Sequence, residues 1–302
     1  MKRQIKSSAS RRIFQVFNYI FLLLITIICI YPFWYVVIYT LSDSSKIGEI
    51  PPVLIPTGFS IENYVQILNL KGFLPAFGIS VARTLAGTIL SVGSCSFLGY
   101  LFSKENMPFR KFLYRFLILT MYISGGMIAT YIVIKSYGML NSFMVYIIPG
   151  MISAYNVVLI KTYVESLPAS LEESAKLDGA GIVTVFTKII FPLSKPIIAT
   201  VAVFVAVGQW NSWFDNHIYT RGTESLKTLQ YLLYNYLNEA QRIAEQLRNA
   251  TSGVDAGTLM QQISSKGIRM SITVLAALPI FLVYPFMQKY FVKGIMVGAV
   301  KG

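Results

Sequence analysis

The chain has little charge and few of the side chains that build catalytic or metal sites. Of its 302 residues, only 13% are Asp, Glu, Lys or Arg, and it has one histidine and two cysteines. Any His-based catalytic site would rest on His217 alone, and Cys29 and Cys95 stand in apolar stretches, where small packing residues are usual. No metal-ligand spacing occurs. The chain also lacks a G-x-x-x-x-G-K-[ST] phosphate loop, so it does not supply the usual nucleotide site itself.

Apolar residues are abundant instead, and they cluster in long runs. They make up 55% of the chain, and the mean hydropathy is +0.59. Several runs reach about 20 residues, enough to cross ~30 Å of hydrocarbon. We therefore predict an all-α integral membrane protein whose single domain, 1–302, has six transmembrane spans, at about 14–40, 77–102, 112–134, 143–164, 197–214 and 270–291. The first apolar run is too long for a signal peptide and is interpreted as a retained span.

The net charge of +13 sits in short loops and tails, which argues for membrane orientation rather than nucleic-acid binding. If six spans alternate, sixteen Lys and Arg residues fall on one side and only three in the short loops opposite. This asymmetry predicts that both termini and the loop at 165–196 are cytoplasmic. The segment at 215–269 is then external, and its helical spacing over 226–247 predicts a helix, as does a helix-start pattern at 61–64.

The polar stretch LEESAKLDGAGIVTVFTKIIFPLSKP interrupts the hydrophobic chain and predicts two short helices. The first is capped at Ala169-Ser170, carries two acids in its first turn and ends or kinks at Gly179, which tolerates turn conformations. The second covers about 182–190, and Pro192 and Pro196 break it before the fifth span. Two short helices set at an angle and protruding from the membrane suit insertion into a cleft on another protein.

The spacing in this stretch resembles the EAA loop of permease subunits in ABC importers. Glu173, Ser174 and Ala175 are followed after three residues by a glycine and, further on, by I-x-F-P; Ser174 stands for the middle alanine and Phe191 for leucine of the family pattern. Both departures could tune which ATPase is accepted. The resemblance implies a cytoplasmic helix that docks on a separate ATPase, with coupling residues Glu172, Glu173, Ser174, Ala175, Asp178, Gly179 and Ala180.

The likeness covers nearly the whole chain. The segment 56–64 and the W-N-S-W element at 210–213 resemble sugar-uptake permeases of the maltose type. Ser124-Gly125-Gly126 and the tail at 284–294 resemble a subgroup of these permeases that is linked to complex oligosaccharides. This resemblance implies a type I ABC importer permease fold in a bacterial cytoplasmic membrane. It also implies a second permease, two ATPases, an extracellular solute-binding lipoprotein and a sugar substrate. ATP and Mg²⁺ would be held by the partner ATPase, and this chain would bind no cofactor.

Several residues are candidates for the substrate path. Aromatic faces stack on sugar rings and amides bind hydroxyls, although aromatic residues at a membrane surface also form an interfacial belt. A charge near the outer start of the second span could line the path, contact the partner permease, or snorkel to the interface. The candidates are Trp210, Asn211, Trp213, Tyr155, Asn156 and Arg83.

Small residues recur every four positions in the second span, at Gly87, Ser91, Cys95 and Gly99. Such spacing lets helices approach closely. The contact could be with a second permease, but packing within the chain is the favoured interpretation.

Two other functions, secondary transport and membrane-bound catalysis, fit the sequence less well. A secondary transporter would usually need ion-coupling acids within its spans, and none lies at mid-membrane depth in the predicted spans. A membrane enzyme should show paired acids or a nucleophile with its base, whereas the acids here are scattered in loops. Neither alternative explains the spacing of the EAA-like loop.

Overall fold

The computed structural model describes residues 9–43, 46–47, 54–70, 72–249 and 266–285. Across these residues the chain is mainly helical and has no strand, apart from an isolated bridge between Ser42 and Phe59. The helices are α1 Ala9–Thr40, α2 Glu62–Leu68, α3 Phe73–Ser103, α4 Arg110–Tyr122, α5 Gly126–Ser136, α6 Ala154–Glu165, α7 Ser170–Leu177, α8 Ile182–Leu193, α9 Lys195–Asn211, α10 Phe214–Tyr219, α11 Leu229–Asn249 and α12 Lys266–Pro285. The all-α prediction is confirmed, and so are the helices predicted near 61–64 and over 226–247.

Three of the described helices are long and apolar enough to cross a membrane: Ser10–Thr40, Phe73–Ser103 and Lys266–Pro285. A fourth crossing is formed if α8 and α9, which meet at a bend of 82°, count as one span. These helices correspond to the predicted first, second, sixth and fifth spans. The predicted sixth span extends past residue 285, outside the described residues.

The predicted third and fourth spans are not continuous helices, so the six-span count is not confirmed. The third is divided into α4 and α5, because Gly126 takes a φ of +76° and the chain between the two helices is not helical. In the fourth, a 3₁₀ turn at Phe143–Tyr146 precedes an irregular stretch, and the α-helix covers only Ala154–Glu165. Apolar composition alone could not show these breaks.

Contacts divide the chain into two compact units, Met1–Leu70 with Tyr236–Leu275, and Lys71–Asn235 with Ala276–Gly302. In the first unit, the Asn63 side chain at the start of α2 donates to the carbonyl of Thr40, at 3.1 Å, and to that of Ser42, at 3.4 Å. The Tyr64 hydroxyl bonds Thr40 Oγ1 at 2.7 Å. These bonds fasten α2 to the end of α1.

The second unit is built around α3, which packs against α6 and α9. A Cβ atom added at Gly99 would lie 2.9 Å from Ile160 Cγ2 of α6, and one at Gly87 would lie 2.7 Å from Gln209 Cδ of α9. The small-residue positions therefore serve packing within the chain, as favoured. Cys95 is buried among them, whereas Cys29 is exposed on α1. The buried members of this core cluster are Val92, Cys95, Tyr100, Phe102, Val157, Ile160, Val164, Val185, Ile190, Ile197 and Val201.

Candidate functional site

The EAA-like loop forms the predicted first helix and turn. α7 begins at Ser170, and its cap residue Ala169 makes no side-chain capping bond, so the predicted serine cap is not formed. Gly179 has a φ of +80°; its N–H donates to the carbonyl of Lys176 at 3.0 Å, and the N–H of Ala180 donates to that of Ala175 at 2.9 Å. This is the Schellman arrangement, which satisfies the last carbonyls of a helix and favours glycine at the left-handed position. The predicted role of Gly179 in ending α7 is confirmed.

The second helix of the loop is longer than predicted. α8 runs on through Pro192, so the break predicted at this proline is wrong. Its middle, Phe186–Ile190, is a π-helical segment, and the wider turn relieves the clash that a proline ring makes with the preceding turn of an α-helix. The bend comes instead at Ser194, where α9 begins with Pro196 in its first turn. The loop therefore ends in an elbow of 82°.

One face of the loop is open to solvent and carries apolar side chains. We call this surface the loop tip; it consists of Glu173, Ser174, Leu177, Asp178, Ile182 and Val183. Leu177 is 89% exposed at the end of α7. Exposed apolar side chains rimmed by polar ones mark surfaces that bind other molecules. Leu177, Ile182 and Val183 were not predicted from the sequence, although apolar residues in a polar loop are a usable signal.

The opposite face is turned inward, onto the C-terminal end of α3. Glu172 is only 9% exposed and forms an ion pair with Lys104, at the end of α3, and another with Lys176, at 3.1 Å. The Tyr100 hydroxyl donates to Glu172 Oε1 at 3.4 Å. Burial alone would raise the pKa of Glu172, but hydrogen bonds from Lys104 and Lys176 outweigh it and hold the pKa below its ordinary value. Ala175 and Ala180 pack on the core cluster.

Arg83 lies in the second unit with only 2% of its side chain exposed, so it does not snorkel to an interface. Its Nη1 and Nη2 donate to the two carboxylate oxygens of Asp215, at 3.1 and 2.5 Å. Nε and Nη2 donate to Gln209 Oε1, at 3.2 and 3.0 Å, and Nη1 to the carbonyl of Ser212 at 3.3 Å. The guanidinium also lies 4.5 Å from the centre of the Tyr146 ring. Every N–H of Arg83 is thus used by a protein acceptor.

A cavity of about 330 Å³ lies beside this network. Asn156, at the start of α6, lines it; this residue is 6% exposed, and its side-chain amide has no hydrogen-bond partner among the described residues. A buried amide facing a cavity can donate and accept at once, as recognition of a hydroxyl requires. Other polar lining residues are Ser91, Thr130, Tyr146, Ser153, Gln209, Ser212, Asp215 and Tyr219.

The structure does not bring all the substrate-path candidates together. Arg83 and Asn156 border the cavity, but Trp210, Asn211, Trp213 and Tyr155 do not. Trp210 is buried and donates through Nε1 to the carbonyl of Ala276 at 2.7 Å. Asn211 accepts from Gln230 at 3.3 Å, Trp213 stacks on Tyr234 with ring centres 4.0 Å apart, and Tyr155 is 53% exposed. Asp215 and Gln209 were not predicted, although an acid two residues after the W-N-S-W element is a natural partner for a membrane arginine.

Known proteins share this architecture. Residues 95–297 match the family described as "Binding-protein-dependent transport system inner membrane component". Protein LplC of Bacillus subtilis (strain 168) is 35% identical over 292 residues, which cover 96% of this chain and 96% of that protein. The polygalacturonan/rhamnogalacturonan transport system permease protein YtcP of the same organism is 34% identical over 291 residues, covering 96% and 99%. A chain in the crystal structure of a bacterial ABC transporter involved in the import of the acidic polysaccharide alginate superposes with a TM-score of 0.83, at 26% identity, over 95% of this chain and 100% of that one.

Proposed function

Since the chain belongs to the family of inner membrane components of binding-protein-dependent transport systems, we propose that it is one of two permease subunits in an ATP-driven importer of sugars or oligosaccharides. The loop tip carries this proposal, because exposed apolar side chains rimmed by polar ones on a polar loop are typical of a surface that binds another protein. The carbohydrate class is supported by relatives named for polygalacturonan, rhamnogalacturonan and alginate transport. A second permease, two ATPases and an extracellular solute-binding lipoprotein complete the assembly.

We assign the loop tip to ATPase docking. Glu173, Ser174 and Asp178 offer polar contacts there, and the neighbouring apolar side chains offer area to bury. Gly179 holds the turn, while Ala175 and Ala180 pack the loop on its own subunit. ATP and Mg²⁺ belong to the partner, and movement of its docking surface reaches this chain through the loop.

The membrane orientation follows from charge. The Lys and Arg bias places both termini and the loop at 165–196 in the cytoplasm and the segment at 215–269 outside. The protein then lies in a bacterial cytoplasmic membrane as a multi-pass subunit. The loop tip in this orientation faces the compartment that contains ATP.

The cavity beside Asn156 is the part of the sugar path that this chain contributes. All five N–H groups of Arg83 are already bound, so the arginine holds the wall of the cavity and Asn156 makes the contact with sugar hydroxyls. Replacing Asn156 by leucine should lower the rate of uptake of digalacturonate by the complete transporter, while Tyr155→Leu, which alters a neighbour outside the cavity, should not. Equal uptake by both variants would show that the cavity is not part of the sugar path.

Co-purification in mild detergent tests the assembly. Tagged wild-type protein from its native membrane should recover an ATPase, a second permease and a binding lipoprotein, each identified by mass spectrometry. Leu177→Asp should lose the ATPase but keep the second permease, because it charges the loop tip. Ile55→Asp is the matched control, since this apolar side chain is also exposed but lies in a segment assigned to the outside. Recovery of the wild-type chain alone would overturn the proposal that it is a subunit of an importer.

A further inference from the structure

We propose that Glu172 is a positioning residue that fastens the EAA-like loop to the C-terminal end of α3, so that loop movement is passed to α3, and that it is not a contact for the ATPase. The proposal rests on the docking function assigned to the loop tip. It gives different roles to Glu172 and Glu173, two neighbouring acids that the resemblance to the EAA loop assigns together to ATPase coupling.

Glu172 and Glu173 are adjacent but face opposite environments. Glu173 is exposed on the loop tip, whereas Glu172 is turned onto α3 and nearly closed off from solvent. A carboxylate that has left water needs charged or hydrogen-bonding partners. Glu172 finds its partners within the chain, so its charge is not available to an approaching protein.

The partners of Glu172 connect the loop with α3. Lys104 follows the last residue of α3 and pairs with Glu172, and its ammonium group also lies 4.6 Å from the centre of the Tyr100 ring. Tyr100, which donates to the same carboxylate, is fully buried in the core cluster. Two groups at the C-terminal end of α3 therefore hold one carboxylate of α7, which is a stiffer connection than a single exposed ion pair.

α3 can carry a displacement to the cavity. It is a continuous helix from Phe73 to Ser103, and Arg83 stands seventeen residues before Tyr100. At a rise of 1.5 Å per residue these two positions are about 26 Å apart along the axis. Arg83 holds Gln209 and Asp215 at the cavity wall, so a shift of α3 at Tyr100 acts on that wall.

The test uses the complete transporter in nanodiscs, with both cysteines of this chain replaced and a probe cysteine, Ser212→Cys, at the cavity. Ser212 lines the cavity and its carbonyl accepts from Arg83. The rate of maleimide labelling is measured with and without trapping of the ATPase by ATP and vanadate. In the otherwise unchanged chain, trapping should change this rate.

Glu172→Gln should keep the ATPase bound at wild-type stoichiometry but reduce the trapping-dependent change in labelling by about fivefold or more, the lower range of coupling between distant sites. Glu173→Gln is the matched control and should instead weaken ATPase binding.

Three results separate the possibilities. Loss of the ATPase from Glu172→Gln, as from Glu173→Gln, would make Glu172 a docking residue and overturn the proposal. An unchanged labelling response in Glu172→Gln would overturn it as well. If the wild-type chain retained no ATPase, the docking function itself would be overturned. This result would be known before any variant is made.

Discussion

Arg83 and Asp215, 132 positions apart in the chain, form a bidentate ion pair that is buried on the arginine side. The pair joins α3 to α10 through two N–H···O bonds, one to each carboxylate oxygen, and bidentate pairs of this kind are among the strongest between guanidinium and carboxylate. Asp215 Oδ1 also accepts from the N–H of Asn216 at 2.9 Å. The charge of Arg83 is thereby neutralised inside the protein, which makes this arginine part of the scaffold of the cavity.

Asp215→Asn should destabilise the protein by about 3–5 kcal/mol, because it leaves the buried guanidinium without a counter-charge. Thermal unfolding in detergent measures the loss. Lys227→Ala is the control: it removes an ion pair whose Glu224 is 83% exposed, and such pairs contribute about 0–1 kcal/mol. Joint replacement, Arg83→Met with Asp215→Leu, should recover much of the stability. A single Asp215→Asn change that costs no more than Lys227→Ala would contradict the structural role.

Gly179 should not tolerate a side chain that resists the left-handed region. Gly179→Ala should cost about 1–2 kcal/mol of local stability, and Gly179→Pro more, since proline cannot adopt a φ of +80° or donate to Lys176. Gly179→Asn should be milder, because asparagine also occurs at this position of a Schellman turn. Retention of the ATPase on the tagged permease reports the damage.

The control for these variants is Gly181→Ala. Gly181 lies two residues further on, has a φ of −73° and no atoms within 4 Å of an added Cβ. Its replacement should leave ATPase retention unchanged. Equal losses at 179 and 181 would show that the loop resists any change of composition, rather than a change of backbone at one residue.

The turn at Gly179 could be predicted because its determinants are local: a helix with acids in its first turn, a glycine, and bonds that span at most five residues. The partners of Arg83 could not, since they are brought close by packing of helices far apart in sequence. The helix break predicted at Pro192 was wrong because a π-helical segment just before this residue makes room for the proline ring. The exposure of Leu177 was not predicted, although an apolar residue in a polar loop is a usable signal for a binding surface.

The breaks in the predicted third and fourth spans could not be predicted from the sequence either. Hydropathy measures whether a segment can lie in lipid, and it does not depend on whether the backbone is continuous. Gly126, with its positive φ, divides one of these segments, and the chain before Ala154 is irregular in the other. Irregular backbone at membrane depth is tolerated where it is enclosed by protein or lines a cavity, and the irregular part of the fourth segment does contribute Pro149 and Gly150 to the cavity wall.

Gly99→Ala should destabilise the second unit. The new methyl group would meet Ile160 of α6 at 2.9 Å and the backbone nitrogen of Lys161 at 3.1 Å, and overpacking of this kind costs about 1–3 kcal/mol. Gly93→Ala, on the same helix with open space around the added atom, should be neutral or stabilising because alanine is the better helix former. The measurement is the unfolding midpoint of each variant in the same detergent. A Gly99→Ala protein as stable as Gly93→Ala would rule out close packing of α3 on α6 at this position.

Acid should release the EAA-like loop from α3, and the direction follows from Glu172. Its pKa is held below the ordinary value in the folded protein, with the bonds from Lys104 and Lys176 outweighing the effect of burial. A carboxyl whose folded pKa is depressed contributes stability above its unfolded pKa of about 4.3 and loses it as the pH falls through the folded value. The difference in unfolding midpoint between wild type and Glu172→Gln should therefore be full at neutral pH and close only below the ordinary carboxyl range. A difference that stayed constant down to that range and beyond would mean that Glu172 acts by packing and not by its charge.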